Sequence, residues 1–578
     1  MDSLPQEIYD EIAYYFQTRS QDDLDRDLAP EVANLPSGNG NGRRCHPPDL
    51  TWDKPRLATL SRRWQATIEK QTFREIKVRS DDLATFEAIV APHRRALVHR
   101  LKYSIVLPPY SRVARGRFES AQDRLANDRV FTTALRDLFQ ILSSWDGRSA
   151  THGSGHPVEF VLQNIYSPSD DGYRSHGNVT NWYKGYFEGS RPLIRQVRPD
   201  NEDEILKRDL SNCRFQYSYL NLASPANLPT VPIITSFKKH GIFRQVSPES
   251  FIRISACFPN MAEAISMMWD GERQYPALRS LNRSAMAQTL QEVKLPSSLR
   301  SLTLWLRQDM IWNHSWTPAD LRPPGQDVDL LCASLRNATL GCESLERLSI
   351  HGTLDESLFW PGITAINVKP FWQNLKHLKV HFHMTTPTGE WYFRFPDNAP
   401  LIEQPSPVPS STQMPPGYGW SEEEDTMAAL RYTDQNASLL RGISMPLGEY
   451  RDIYRYFVDN ERLSPLVKAF AKACAQMPLL TDASLTCQII RPQKSASGGL
   501  SPRRTTWGIW FAVPGTAIDF ESQELDEPEF RLCTSRRLVL KIHNWVPRWD
   551  LYQLLRDIGR ERYGDRLIEK RLSSANIY

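Results

Sequence analysis

Short stretches of alternating apolar and polar residues recur along the chain, and they indicate strands that are buried on one face. Three of them share a Leu-x-x-Leu-x-Leu phase, at 299–306, 345–350 and 375–382. Successive side chains of a strand point to opposite faces, so each stretch has an inner apolar set and an outer set. Weaker copies lie at 98–105 and 538–542. These stretches predict a repeated strand within one sheet.

The outer set of the three clear strands is mixed in chemistry, which suits a surface that contacts a partner. Leucine, isoleucine, valine and phenylalanine occupy the inner positions instead. We predict that a protein substrate binds the outer row, which consists of Thr303, Trp305, Arg307, Arg347, Ser349, His351, Lys379 and His381.

Amphipathic helical stretches separate the strands. Within Phe118–Trp145, apolar residues recur every three or four positions, and 454–477 and 549–572 have similar patterns. Connections long enough to hold a helix favour parallel strands, so the chain is predicted to be α/β. The clear strands are 46 and 30 residues apart, against about 20–29 in leucine-rich repeats. We therefore expect an irregular, leucine-rich-repeat-like strand–helix array; the alternative is an ordinary α/β domain whose strands are alike by chance.

The first 78 residues contain two further apolar helical stripes and a short strand. Ile8, Ile12 and Phe16 follow one another at intervals of four, and Trp64 lies on the stripe that starts at Leu57. Residues 73–78 alternate and predict a first strand. The intervening segment 21–54 is polar and rich in glycine and asparagine, so it is predicted to be a disordered insertion.

This opening resembles an F-box. The motifs that resemble an F-box are Leu4-Pro5-x-Glu7-Ile8 and Leu57-x-x-Leu60-Ser61-Arg62-Arg63-Trp64. The likeness is to fungal proteins in which an F-box precedes a leucine-rich-repeat-like region. It implies three short helices that dock on a Skp-type adaptor and, through it, a cullin. The residues that it assigns to adaptor binding are Leu4, Pro5, Ile8, Ile12, Leu57, Leu60 and Trp64. A helical pair that merely caps the array is the alternative.

The resemblance also implies a division of the chain and a function. Residues 1–79 would form the F-box with its insertion, and 80–578 the array, with long loops at about 167–203, 387–446 and 493–504, where the sequence is polar or rich in proline and glycine. The chain would be the substrate-receptor subunit of an SCF-type cullin–RING ubiquitin ligase. A protein-interaction scaffold with an F-box-like cap, which binds no ligase, is the alternative, and an α/β enzyme with an unrecognised active site is a third hypothesis.

Composition and net charge argue against several other classes of protein. The 578 residues include 70 Lys+Arg and 67 Asp+Glu, a net charge of +3, which argues against a protein that coats nucleic acid. No apolar run reaches membrane-spanning length and no secretory signal opens the chain, so we expect an intracellular protein of the cytoplasm or nucleus, without membrane contact. Eight scattered cysteines without a Cys-x-x-Cys pair predict buried, reduced thiols.

Motifs for catalysis and cofactors were sought as well. No G-x-S-x-G, P-loop, G-x-G-x-x-G or HExxH motif occurs, so no enzyme activity, catalytic residue or cofactor is predicted. His377, His381 and His383 alternate on one strand, and three imidazoles are a possible zinc site. However, Lys379 lies between them and no fourth ligand can be named. We therefore predict a solvated strand face and no metal.

Overall fold

The computed structural model describes residues 61–572, with gaps at 112–113, 115–117, 146–156, 171–213, 216, 224–226, 240–243, 272–274, 309–310, 312–313, 324, 327, 362–371, 398, 400–412, 416, 422, 425–452, 495–499 and 519–533. For 493–494 and 500–501 only the backbone is described.

A twelve-stranded, mostly parallel sheet organises this part of the chain. Its strands, in spatial order, are β1 (Glu75–Arg79), β2 (Arg100–Val106), β3 (Val158–Tyr166), β5 (Ile234–Lys239), β7 (Glu263–Trp269), β8 (Ser301–Arg307), β9 (Arg347–Gly352), β10 (His377–Phe382), β13 (Asp482–Lys494), β14 (Leu500–Ala512), β15 (Arg536–Lys541) and β16 (Leu567–Arg571). Two small sheets pair β4 (Tyr219–Leu220) with β6 (Gln245–Val246), and β11 (Phe393–Arg394) with β12 (Phe457–Val458).

The strand order follows the chain, as it does in a repeat array. The nine strands from β1 to β13 are parallel to their neighbours, whereas β14 is antiparallel to both β13 and β15. The three predicted strands are neighbours, with Leu302, Leu348 and Leu378 in register. The prediction of an α/β strand–helix array is therefore confirmed.

Ten helices accompany the strands in the described part of the chain. They are α1 (Arg62–Arg74), α2 (Leu83–Ile89), α3 (Pro92–Arg95), α4 (Ala121–Ser143), α5 (Pro248–Ser255), α6 (Pro276–Glu292), α7 (Leu330–Leu340), α8 (Asn460–Ala475), α9 (Trp549–Asp557) and α10 (Arg560–Tyr563). Helix α4 shows how the sequence sets a helix start. The hydroxyl of Ser120 accepts the Asp123 N–H at 3.1 Å, and the Asp123 carboxylate accepts the Ser120 N–H at 3.1 Å, which is a capping box.

The main hydrophobic core lies on one face of the sheet. It combines buried side chains of α4–α9 with strand residues that all belong to the inner set, such as Leu304, Ile350 and Val380. Phenylalanines fill its centre, where the rings of Phe160 and Phe237 stack at 5.5 Å. The outer side chains of the sheet contribute nothing to this core, so we call their surface the open face.

Helix α1 runs directly into the first strand of the sheet. Its N-cap is Ser61, whose hydroxyl accepts the Trp64 N–H at 3.3 Å, and its C-cap residue, Glu75, is already the first residue of β1. Because β1 pairs with β2 along its whole length, the strand assigned to the F-box at 1–79 is the edge strand of the array. The predicted boundary at 79 therefore cuts through the sheet.

Two predicted segments differ from the structure over most of their length. The stretch 493–504, expected to be a loop, lies mostly in the β13–β14 hairpin, because its polar residues continue an antiparallel pairing as far as Lys494 and Leu500. The stretch 549–572 is not one helix. It breaks at Gly559, which has a φ of +70° that glycine adopts readily, and ends as the strand β16.

Parts of the other predicted loops are also ordered by pairing. Phe393–Arg394, within 387–446, pairs with Phe457–Val458. That pairing delays the helix predicted from 454, which starts only at Asn460, where Asp459 caps it. At the start of 167–203, the backbone carbonyl of Ser167 accepts a hydrogen bond from the Asp170 N–H at 3.0 Å, which closes a turn. Residues 171–203 and the insertion at 21–54 lie outside the described residues.

Candidate functional site

The open face collects the whole predicted substrate row. Thr303, Ser349 and Lys379 are in register across β8, β9 and β10, and Trp305, His351 and His381 follow two residues further along. Arg307 and Arg347 lie at the two ends of the row. Parallel pairing without a register shift brings these eight side chains onto one surface.

An aromatic patch occupies the centre of this surface. The Trp305 ring meets His351 edge to face at 5.7 Å, and His351 meets His381 at 4.2 Å and His383 at 4.9 Å. The Nε2 atoms of His351 and His383 are 3.1 Å apart. We call these four residues the histidine patch.

Two members of the histidine patch, His351 and His381, are neutral at neutral pH. Burial lowers the pKa of His351 well below its ordinary value and lowers the pKa of His381 to about 4. His381 Nδ1 lies 3.0 Å from the Thr486 hydroxyl on β13. These two imidazoles therefore contribute neutral rings, not positive charges, to the patch.

The three histidines that lie together in the structure are not the three that the sequence pattern grouped. His377 lies at the amino end of β10, where its Nδ1 is 2.5 Å from the Asp482 carboxylate. His351, from the neighbouring strand, lies between Trp305 and His381 instead. The sequence pattern placed His351 on the outer row, but only the strand order shows that it joins His381 and His383.

A buried ionic cluster supports the patch from the carboxyl ends of the strands. The Asp270 carboxylate accepts hydrogen bonds from Nε and Nη2 of Arg279 at 2.9 and 3.0 Å and from Nη1 of Arg283 at 2.9 Å. Arg283 also donates to Asp329 at 2.9 Å. Arg279 donates to the Thr353 hydroxyl at 2.6 Å, and that hydroxyl is 3.1 Å from His383 Nδ1.

The charges of this cluster compensate one another. Burial raises the pKa of Asp270, but the two arginines more than offset this effect and hold that pKa below its ordinary value. Asp355, nearby, behaves differently: burial, assisted by the Asp329 charge, raises its pKa to about 7. This cluster could not be predicted from the sequence, because its members come from separate segments of the chain and follow no motif.

One group within the cluster has metal-ligating chemistry. Atoms of Asp329, Cys332 and Asp355 lie within 4.8 Å of one another, which no other described group of three such residues does. However, Asp329 already binds the Arg283 guanidinium at 2.9 Å and caps α7 through the Cys332 N–H. The positive charge that a cation would supply is therefore provided by arginine.

The half of the open face near the N-terminus is crossed by a ladder of ion pairs. Arg100 bridges Glu75 at 3.3 Å and Glu159 at 2.8 Å, and Lys238 bridges Glu159 at 3.2 Å and Glu263 at 3.1 Å. Burial raises the pKa of Glu159, but hydrogen bonds from Arg100 and Lys238 bring it below the ordinary value. In this ladder, acidic and basic side chains alternate from strand to strand.

The predicted adaptor-binding residues are mostly outside the described part of the chain. This applies to Leu4, Pro5, Ile8, Ile12, Leu57 and Leu60. Trp64 is described: it lies in the first turn of α1 and is half-buried, one turn before the buried Ile68. Its position on the predicted apolar stripe agrees with the helical spacing.

Two further observations bear on the class of protein. Among the described residues, no helix has the length and apolar content needed to cross a membrane. The five described cysteines, Cys257, Cys332, Cys342, Cys474 and Cys487, are buried and free, as the sequence predicts for them.

No protein-family model matches the chain, and no curated protein is significantly similar to it. Its function must therefore be inferred from the open face and from the motifs at the N-terminus.

Proposed function

We propose that this protein is the substrate-receptor subunit of an SCF-type cullin–RING ubiquitin ligase. In this proposal the N-terminal segment with Leu4, Pro5, Ile8, Ile12, Leu57, Leu60 and Trp64 binds the Skp-type adaptor, and the open face binds a protein substrate. The chain itself performs no chemical step. It raises the local concentration of the substrate near the ubiquitin-conjugating enzyme, so that the transfer becomes nearly intramolecular.

The observation that carries the proposal is the direct connection between α1 and the sheet. Glu75 both ends α1 and begins β1, which pairs with β2 over five residues. A partner bound to the helix that contains Trp64 would therefore be held at a fixed place relative to the open face, since no linker intervenes. A receptor needs such a rigid connection, because effective concentration falls when the tether is long and flexible.

The open face provides the second half of the argument. Helices cover the inner face, whereas the outer side chains stay outside the main core. A sheet surface with the half-buried Trp305 at its centre suits contact with a protein, because tryptophan is enriched among residues that dominate binding energy.

The test is co-expression of the full chain with a Skp-type adaptor, followed by purification through a tag on the chain. Wild type should recover the adaptor in stoichiometric amount. The double variant Leu4→Ala/Pro5→Ala should lose it while keeping its circular dichroism and melting temperature. Leu125→Ala is the matched control, because Leu125 is also an exposed leucine, 58% accessible, but lies on α4.

Two results would contradict the proposal. If wild type recovers no adaptor at micromolar concentration, the chain is better described as an interaction scaffold with an F-box-like cap. If the double variant binds the adaptor as tightly as wild type, the assignment of Leu4 and Pro5 is wrong and the receptor function loses its main support.

A further inference from the structure

Two imidazoles of the histidine patch have nitrogens close enough to share one metal ion. Nε2 of His351, on β9, and Nε2 of His383, just after β10, are 3.1 Å apart, and the two ring planes meet at 67°. A tetrahedral zinc ion with Zn–N bonds of about 2.0–2.1 Å sets its ligand nitrogens about 3.3 Å apart. The observed spacing is within about 0.2 Å of that value, which is the agreement expected of a metal site.

A buried hydroxyl group orients one of these two rings. Arg279 donates to the Thr353 hydroxyl at 2.6 Å, and that hydroxyl donates to Gln308 Oε1 at 3.2 Å. Because a hydroxyl has one proton to donate, it accepts from Nδ1 of His383, 3.1 Å away. In the neutral form of the ring, this bond places the proton on Nδ1 and leaves the Nε2 lone pair for a metal. Metal-binding histidines ordinarily have such a hydrogen bond at their other nitrogen.

The ring of His381 is close but does not complete a set of three ligands. It lies 4.2 Å from the His351 ring, and its Nδ1 is 3.0 Å from the Thr486 hydroxyl. In the described part of the chain, however, the ligand nitrogens of the three histidines are not all within 4.8 Å of one another. Two protein ligands therefore converge, and water would fill the remaining positions around an ion.

We propose that His351 and His383 form a binding site for a divalent transition-metal ion such as zinc. Imidazole nitrogens suit zinc, copper and nickel, whereas magnesium and calcium prefer oxygen ligands. Both side chains are half-buried on the open face, so an ion can reach them from solvent. Neither ligand carries a negative charge, and the positive charge of Arg307 acts on His351. We therefore expect micromolar rather than tighter affinity for zinc.

This pair differs from the histidines that the sequence pattern grouped. The metal-free surface predicted from the sequence concerned a set that included His377, which lies at the amino end of β10 and contacts the Asp482 carboxylate at 2.5 Å. The pairing of β9 with β10 supplies His351 in its place. The inference goes beyond the proposed ligase function and does not depend on it.

The test is isothermal titration calorimetry of zinc chloride into the full-length protein, from which metals have been removed with a chelator. Wild type should bind zinc at micromolar concentration, and magnesium chloride should give no binding at this site. His351→Gln and His383→Gln should each weaken zinc binding by about tenfold or more, since loss even of a group that supports a metal ligand costs about 10–100-fold. The chain has 13 histidines, so only binding that both variants lose is assigned to this site.

His377→Gln is the matched control, because His377 is also a half-buried histidine of β10 but lies away from the pair. Its zinc affinity should equal that of wild type. Melting temperatures without zinc show whether each variant is folded, and zinc should raise the melting temperature of wild type and His377→Gln more than that of the other two. Anomalous diffraction at the zinc edge, from wild-type crystals soaked in zinc, is a second measurement that needs no variant.

Four results would overturn the inference. If wild type binds no zinc, the 3.1 Å contact is a hydrogen bond between two rings. Unchanged affinity in His351→Gln and His383→Gln would place the ion elsewhere, as would an anomalous peak away from the two Nε2 atoms. An equal loss in His377→Gln would show that the effect is not specific to the pair. The adaptor experiment is independent: His383→Gln should still recover the adaptor and Leu4→Ala/Pro5→Ala should still bind zinc, so failure of either proposal can be distinguished.

Discussion

The buried ionic cluster beneath the histidine patch should be a main determinant of stability, and Asp270→Asn tests this. Asp270 is 6% exposed and receives three hydrogen bonds, two from Arg279 and one from Arg283. The substitution keeps the size of the side chain but removes its negative charge. Arg283 then keeps Asp329 as a carboxylate partner, whereas Arg279 keeps the neutral hydroxyl of Thr353.

The expected cost follows from the burial of these groups. Removing one partner of a buried ion pair typically costs about 3–5 kcal/mol, because the remaining charge stays out of water without compensation. An exposed pair provides the matched control: Asp320 is 47% accessible and binds Arg322 at 2.7 Å. Asp320→Asn should cost no more than about 1 kcal/mol.

The measurement is urea unfolding followed by tryptophan fluorescence, at neutral pH and at a series of lower pH values. The pKa of Asp270 in the folded protein lies below its ordinary value, so its contribution is complete above the unfolded pKa of about 3.9. It is lost as the pH falls through the folded pKa. Wild type should therefore lose stability in acid more steeply than Asp270→Asn.

Two results would refute this reasoning. An Asp270→Asn variant that unfolds at the same urea concentration as wild type would mean that the arginines find solvent or other partners. Equal losses for Asp270→Asn and Asp320→Asn would mean that burial does not set the magnitude.

Four further predictions concern three single positions and one segment. His381 has a folded pKa of about 4, so wild type should lose stability as the pH falls from about 6.5 to 4, and His381→Gln should reduce that loss in the same urea series. Gly389→Ala should destabilise more than Gly515→Ala in thermal unfolding, because both have positive φ but only at Gly389 would a Cβ lie 2.8 Å from a backbone oxygen, that of Pro318; strain alone costs about 1–2 kcal/mol. Trp64→Ala should cost less than the about 3–5 kcal/mol of a fully buried aromatic, since Trp64 is half-buried; a full loss would show deeper packing. Deletion of 22–48 should leave the melting temperature nearly unchanged, since halving a loop changes its closure entropy by only about 0.6 kcal/mol.

The sequence by itself determined the local features of this fold. Alternation within 301–307 was enough to separate Leu302 and Leu304 from Thr303 and Trp305, because side chains of a strand alternate whatever the neighbouring strands are. The helix at 121–143 was predictable for the same kind of reason, since its apolar stripe has the period of the α-helix. Such patterns depend only on residues a few positions apart.

Positions governed by pairing with another strand were not predictable. The glycine- and serine-rich stretch around 493–504 reads as a loop, yet its ends are strands because β13 and β14 pair over thirteen residues. Likewise, the helix after 454 starts late because Phe457–Val458 pairs with Phe393–Arg394. A local pattern carries no information about a partner 60 residues away.

The same distinction between local pattern and tertiary pairing applies to the candidate site. Its outer row could be named from the sequence, because each residue is assigned within its own strand. The tertiary structure alone decided that β9 lies between β8 and β10, which places His351 between Trp305 and His381. It also joined Asp270, Arg283 and Asp329, which come from three separate elements. The cost of burying a charge without a partner requires such groups to meet, but it does not state in the sequence which of them will do so.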